Sequence, residues 1–91
     1  MTTIFKVVQQ SEALAVPSKQ SETGETKKST IVLQEFGGKY ADQYACTMLG
    51  PTAECRFYGG ELVVASLRFT AHEHAGAFYQ DVLVNDIQKI Q

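Results

Sequence analysis

Two histidines flank a glutamate near the end of the chain, and their side chains are the first candidates for chemistry. His72 and His74 would point to the same side of an extended strand, as two metal ligands or an acid–base pair require. A zinc site needs three or four protein ligands, and no third ligand is evident near them. Histidines in a loop beside Glu73 are more often exposed polar residues, so we expect neither a metal nor a cofactor.

The other reactive side chains lack the neighbours that catalysis requires. Ser29 and Ser66 have no G-x-S-x-G context, and the glycine pairs are not followed by the lysine of a phosphate-binding loop. Cys46 and Cys55 form no C-x-x-C motif, and two reduced thiols fit a cytoplasmic protein. We therefore expect a protein that is not an enzyme.

The bulk properties favour a small, soluble domain. The 91 residues suffice for one domain, 1–91, with a single modest core. A net charge of −2 argues against a strongly basic nucleic-acid binder. No apolar run approaches the roughly 20 residues that a membrane-spanning helix needs. The N-terminus has no charged region followed by an apolar one, so we expect the protein to remain in the cytoplasm.

Alternation of apolar and polar residues predicts a long hairpin at the end of the chain. After the turn at Gly59-Gly60, one side of the first strand carries a core set of Val63, Ala65, Leu67, Phe69 and Ala71. A loop at 72–77 leads into a second strand, Phe78 to Asp86. Ile87 and Ile90 stand at helical spacing, so the tail is interpreted as a strand end with a possible short turn.

Three further strands are predicted before that hairpin. They cover Thr3–Ala15, Ser29–Phe36 and Gln43–Leu49. In the first, a polar interruption at 9–12 indicates a bulge or bend, and a helix is the competing interpretation. Its apolar side is expected to consist of Ile4, Val7, Val8, Leu14 and Val16.

The connections between these strands differ sharply in character. Residues 17–28 contain no large apolar side chain, which predicts a long polar loop that is either functional or disordered. Pro51 suits the first position of a short helix, predicted over Thr52–Tyr58 between the third and fourth strands.

This element order is that of the OB-fold, an all-β, five-stranded Greek-key barrel with one short helix between strands 3 and 4. The chain also resembles a family of small stand-alone bacterial proteins of the Bacteroides type, which are similar to single-stranded-DNA-binding OB-folds. The residues that carry this resemblance are Ser21-Glu22-Thr23-Gly24, Lys27 to Leu33, Met48-Leu49-Gly50, Gly59 to Val63 and Phe78 to Val82.

The resemblance implies a place where a ligand would bind. OB-folds bind extended ligands across strands 2 and 3, between the first long loop and the loop of the last hairpin. Cations along this path would meet phosphates, and aromatic rings would stack on bases. The candidates are Lys19, Lys27, Lys28, Phe36, Lys39, Tyr40, Tyr44, His72 and His74. Tyr44 alternates with Cys46 and Met48, so it fits a core position equally well, and lysines beside a turn also occur at an ordinary solvated strand edge.

Two functions remain open on this basis. The first is a small OB-fold that binds single-stranded nucleic acid, DNA before RNA, without catalysis. The second is a protein-interaction or assembly module that uses the same barrel. A homo-oligomer, with a dimer favoured, is expected because Leu62, Val64 and Leu83 lie opposite the core set and could form one outer patch. The competing explanation is that the N-terminal segment or residues 86–91 cover that patch within one chain.

Overall fold

The computed structural model describes residues 2–18, 24–37 and 41–90. In this part of the chain it shows six strands and one short helix: β1 Thr2–Gln10, β2 Leu14–Pro17, β3 Glu25–Glu35, β4 Gln43–Leu49, α1 Pro51–Glu54, β5 Leu62–His74 and β6 Ala77–Lys89. The prediction of a mostly β protein with one short helix is confirmed, but the predicted number of five strands is wrong. The strands also extend into the predicted 17–28 loop from both ends.

The six strands form one sheet that closes on itself. The order of neighbours is β1-β5-β6-β4-β3-β2, and β1 also pairs with β3. β1 lies along the second half of β3, whereas β2 pairs with its first half. The contact between β4 and β6 is parallel and the other pairings are antiparallel. β1 and β2 therefore pair with the same edge of β3, one after the other.

The first predicted strand is divided into β1 and β2, because its polar middle forms hydrogen bonds with another part of the chain. Gln10 accepts a hydrogen bond from the Phe57 backbone N–H at 2.8 Å and donates one to the Cys55 carbonyl at 2.8 Å. The predicted apolar side is also partly wrong: Phe5 and Val7 are buried, whereas Ile4 and Val8 are exposed. A bulge between Val7 and Gln9 in the pairing with β3 accounts for the position of Val8.

The helix is shorter than predicted and does not reach Tyr58. It ends at Glu54, and Cys55 already has extended backbone angles. The reason lies outside the helix, since Gln10 holds the Phe57 backbone and the Phe57 side chain is buried in the core. Of the glycines that follow, Gly59 has no room for a side chain, because a Cβ there would lie 2.9 Å from the Val8 carbonyl oxygen.

The last hairpin is longer and more regular than predicted. Its turn is only Ala75-Gly76, with φ angles of 53° and 82°, so His72 and His74 lie in β5 and not in a loop. A bulge lies where Ser66 pairs with Asp86 while Leu67 pairs with Val84. This bulge turns Ile87 towards the core opposite Ala65, and β6 continues to Lys89 without the predicted short turn.

A single apolar core fills the inside of the closed sheet. Its buried members are Phe5, Val7, Ile31, Leu33, Cys46, Met48, Ala53, Phe57, Val63, Ala65 and Leu67. The rest of the predicted core set, Phe69 and Ala71, is exposed. Both residues lie beyond Ser66, where the pairing of β5 with β1 ends. The paired residues 70–81 thus project from the sheet, and we call them the hairpin arm.

The one helix that the structure shows in the described ranges has four residues, so no helix there is long enough to cross a membrane.

Candidate nucleic-acid interface

Side chains that alternate with the core residues form an exposed surface over four neighbouring strands. Because Ile31 and Met48 point inward, Lys28 and Leu49 point outward, and these two residues face each other across β3 and β4. We call this surface the outer face. It comprises Leu14 and Val16 of β2, Thr26, Lys28 and Thr30 of β3, Thr47 and Leu49 of β4, and Leu83 of β6.

A shallow groove runs across the outer face. Its volume is about 340 Å³, and Val16, Lys28, Leu49, Asp81 and Leu83 are among the residues that line it. A second depression of about 230 Å³ shares Val16 and Lys28 with the first. Lys28 therefore stands where the two depressions meet, with apolar side chains on either side of it.

The two adjacent lysines of β3 point to opposite sides of the sheet. Lys28 is on the outer face, whereas Lys27 alternates with it and lies towards α1. There Lys27 lines a separate cavity of about 330 Å³ together with Glu25 and Glu54. The structure thus brings only Lys28 of this pair to the groove.

Beyond the groove, the outer face continues along the last hairpin, first through Arg68 and then into the hairpin arm. Arg68 lies opposite Leu83, and His72 lies opposite Tyr79, all with side chains on the outer side. The His72 and Tyr79 rings are stacked, with centroids 5.5 Å apart and planes 24° apart. His72 Nδ1 also lies 3.2 Å from Asp81 Oδ2.

Three residues of this extension were not among the sequence candidates. Arg68, Tyr79 and Asp81 were predicted to lie in strands but not in the site, because the loop predicted at 72–77 hid the pairing of His72 with Tyr79. Their signal was nevertheless in the chain: alternation from Leu83 leads back through Asp81 to Tyr79, and a two-residue turn places Tyr79 opposite His72.

The structure places Tyr44 on the core side of β4. Its ring packs edge-to-face against Phe5 at 6.0 Å and against Phe69 at 6.1 Å. Its hydroxyl donates a hydrogen bond of 2.7 Å to Glu35 Oε1. This bond, with partial burial and the charge of the same carboxylate, raises the pKa of Tyr44. The Tyr44 ring is therefore not presented on the outer face.

Of the remaining aromatic and basic candidates, the structure describes only Phe36, and Phe36 does not line the groove. Phe36 is exposed just beyond the end of β3, in the connection to β4. Lys19, Lys39 and Tyr40 lie outside the described residues.

The residues predicted to form a dimer patch lie in two separate places. Val64 pairs with Ile4 and Leu62 pairs with Lys6, on the outside of β1 and β5. Leu83 is further along the hairpin, where it pairs with Arg68 and neighbours Thr47 of β4. The three side chains do not form one patch, and only Leu83 belongs to the outer face.

Metal-binding and thiol groups contribute little to this surface. Among the described residues, no three His, Cys, Asp or Glu side chains are grouped as metal ligands would be. Both cysteines are free thiols, and burial raises the pKa of Cys46 to about 11.

No protein-family model matches the chain, and no curated protein matches it. The outer face and the hairpin arm are thus the features on which a functional assignment rests.

Proposed function

We propose that this protein is an OB-fold that binds single-stranded nucleic acid, DNA before RNA, without catalysing a reaction. The observation that carries the proposal is the common orientation of Lys28, Arg68 and the Tyr79 ring on one side of the sheet. Single-strand binding uses cations along the phosphate backbone and flat rings for the bases, and this surface offers both.

The strand order supports the OB-fold part of this proposal. β1 and β2 pair with successive halves of β3, so together they occupy one strand position of a closed sheet. Counted in this way, the sheet has five positions, and α1 lies between the third and the fourth. A five-stranded Greek-key barrel with this arrangement binds oligonucleotides on the face that corresponds to β3 and β4.

The charges on the outer face predict weak, moderately salt-dependent binding. Among the described residues, Lys28 is the basic residue of the outer face and Arg68 lies next to it along the hairpin, while Asp81 in the groove and Glu12 in the second depression partly offset their charges. Two phosphate contacts correspond to a slope of about −1.4 in log K against log salt concentration for a single strand. The overall charge of −2 gives no additional attraction.

The test is binding to a labelled thymidine oligonucleotide, measured by fluorescence anisotropy across a salt series. Lys28→Ala should weaken binding several-fold and bring the salt slope about 0.7 closer to zero, because one phosphate contact is lost. Lys27→Ala is the matched control: it removes the same charge one residue away, on the opposite side of β3. This variant should bind like the wild type.

Two results would contradict the proposed interface. Equal losses in the Lys27 and Lys28 variants would mean that only the overall charge matters. Absence of binding by the wild type at low salt would overturn the proposed function as a whole.

Unlabelled duplex of the same length should compete poorly, because the rings of the arm can stack only on unpaired bases.

The leucines of the outer face favour a second candidate, an assembly module. Leu14 and Leu49 flank Lys28 in register, and their side chains are 65% and 48% exposed. With Leu83 they form an apolar area, and aliphatic side chains suit a protein contact better than they suit base stacking. We propose that copies of the chain would then associate, most simply as a dimer, through this face. Nucleic acid and self-association would in that case compete for the same surface.

A further inference from the structure

The hairpin arm carries a side-chain cluster whose role the fold does not explain. The His72 ring covers one side of the Tyr79 ring, and Asp81 holds the imidazole through Nδ1. All three side chains are about half exposed, so the cluster buries little apolar area. Stabilisation of the core therefore does not account for the arrangement.

We propose that Tyr79 is a base-stacking residue, that His72 and Asp81 position its ring, and that protonation of His72 tightens binding. This inference rests on the proposed binding of single-stranded nucleic acid. The ligand would be an unpaired base stacked on the side of Tyr79 that His72 leaves open, with its phosphate near the imidazole.

The geometry supplies what a stacking residue needs. Tyr79 is 50% exposed, and it lies on the same side of the hairpin as Arg68 and the groove. Backing by His72 limits the orientations of the Tyr79 ring, so less conformational freedom is lost when a base binds. His72 and Asp81 are positioning residues in this arrangement, because they act on the base through Tyr79.

The effect of pH follows from the charges that face His72. On its own strand these belong to Arg68 and His74, and on β6 the facing groups are the Tyr79 hydroxyl and the Asp81 carboxylate; Glu73 points to the opposite side. With His72 neutral, the Asp81 carboxylate repels a nearby phosphate. A protonated imidazole offsets that carboxylate, so the repulsion of the phosphate is removed, and it remains favourably placed against the Tyr79 ring. Affinity should therefore increase as pH falls.

Stacking is tested with two adjacent aromatic residues that point to opposite sides of the arm. Tyr79→Ala should weaken binding of the thymidine oligonucleotide about ten-fold, within the range measured for stacked bases. Phe78→Ala removes a ring that is 78% exposed on the other side and should bind like the wild type. Tyr79→Phe keeps the ring and should also retain affinity. Equal losses in the Tyr79→Ala and Phe78→Ala variants would overturn the assignment.

The role of His72 is tested by the same measurement at about pH 6 and at about pH 8. Wild-type protein should bind about three- to five-fold more tightly at the lower pH in dilute salt, as expected for one exposed charge pair. His72→Gln should remove most of this difference. His74, a sequence candidate, pairs with Ala77 beyond the stack of His72 with Tyr79 and is not a positioning residue in this arrangement, so His74→Gln is the control and should keep most of the pH difference.

The outcomes separate this inference from the function on which it rests. If wild-type protein does not bind the oligonucleotide, the proposed function fails. If binding depends on Lys28 but not on Tyr79, the function stands and the stacking residue has been assigned wrongly. A pH effect that persists in His72→Gln, or one that disappears equally in His74→Gln, would overturn the role of His72.

Discussion

At the scale of single residues, Glu61 joins the connection before β5 to the end of β6. It accepts a hydrogen bond from the Tyr58 backbone N–H and forms an ion pair with Lys89, whose Nζ lies 3.0 Å away. The Lys89 ammonium also lies 5.9 Å from the centres of the Phe57 and Tyr58 rings. The pKa of Glu61 is lowered most by the hydrogen bond from Tyr58 and next by the contact with Lys89.

This lowered pKa predicts a stability difference that depends on pH. Because the folded protein favours ionised Glu61, its contribution is present above the ordinary glutamate pKa and is lost as pH falls through the folded value. Glu61→Gln should therefore lower the urea midpoint at neutral pH and have little effect in strongly acidic buffer. Glu73→Gln, on the exposed arm, is the control and should change the midpoint little at either pH. The same loss for Glu61→Gln in acid and at neutral pH would contradict this explanation.

At the scale of elements, the two-residue turn of the hairpin arm contains an alanine in a backbone conformation that is unfavourable for it. Ala75 and Gly76 both have positive φ, as a two-residue type I′ turn requires, and the preferred sequence for such a turn is Asn-Gly. An alanine in this left-handed region costs about 1–2 kcal/mol, a cost that asparagine largely avoids. Among the described strands, the residues of the arm pair only with each other, and their turn is strained, so we expect the arm to open more readily than the rest of the sheet.

Ala75→Asn should stabilise the arm by up to about 1 kcal/mol, since it relieves the backbone at one turn position. Hydrogen exchange of the backbone amides of residues 70–81 is the direct measurement, because local opening dominates exchange there. Ala77→Asn places the same residue just after the turn, in β6, and should give no protection. Unchanged or faster exchange in Ala75→Asn would show that the turn does not limit the stability of the arm.

At the scale of the whole molecule, closure of the sheet depends on β1. Phe5 is fully buried and lies in register with Val63 of β5 on one side and Glu35 of β3 on the other. β1 is therefore paired on both edges, and the apolar side chains of the outer face lie on other strands, with Leu14 and Leu49 exposed and Leu83 half-buried.

That surface predicts how the chain would associate. If the assembly alternative holds, sedimentation over a dilution series should show a dimer that dissociates at low concentration, and Leu49→Ser should weaken it several-fold. Leu62→Ser, on the outside of β1 and β5, is the control and should leave association unchanged. The thymidine oligonucleotide should also dissociate the dimer, because both would use the outer face. A monomer at every concentration would leave the assembly alternative without support.

The sequence alone determined that most of the chain forms strands and which residues alternate within them. The boundaries of β4 were predicted to the residue, and Cys46 and Met48 were placed together on one side of it. The β-character of residues 62–71 and a short helix after Gly50 were also predictable. These features depend on local pattern and on glycine and proline, whose backbone effects act within a few residues.

Tertiary structure decided which side of each strand is covered. Because side chains alternate along a strand, Lys27 and Lys28 must point to opposite sides of β3. Only the positions of β4 and α1 determine which of the two lines the groove. In the same way, the core covers Tyr44, while the extension of the arm beyond β1 exposes Tyr79. The helix end at Glu54 and the bulge that turns Ile87 inward depend on partners far away in the chain. Alternation is a local property of the backbone, whereas burial depends on long-range strand pairing, and this difference is why the sequence predicted the strands but not the site.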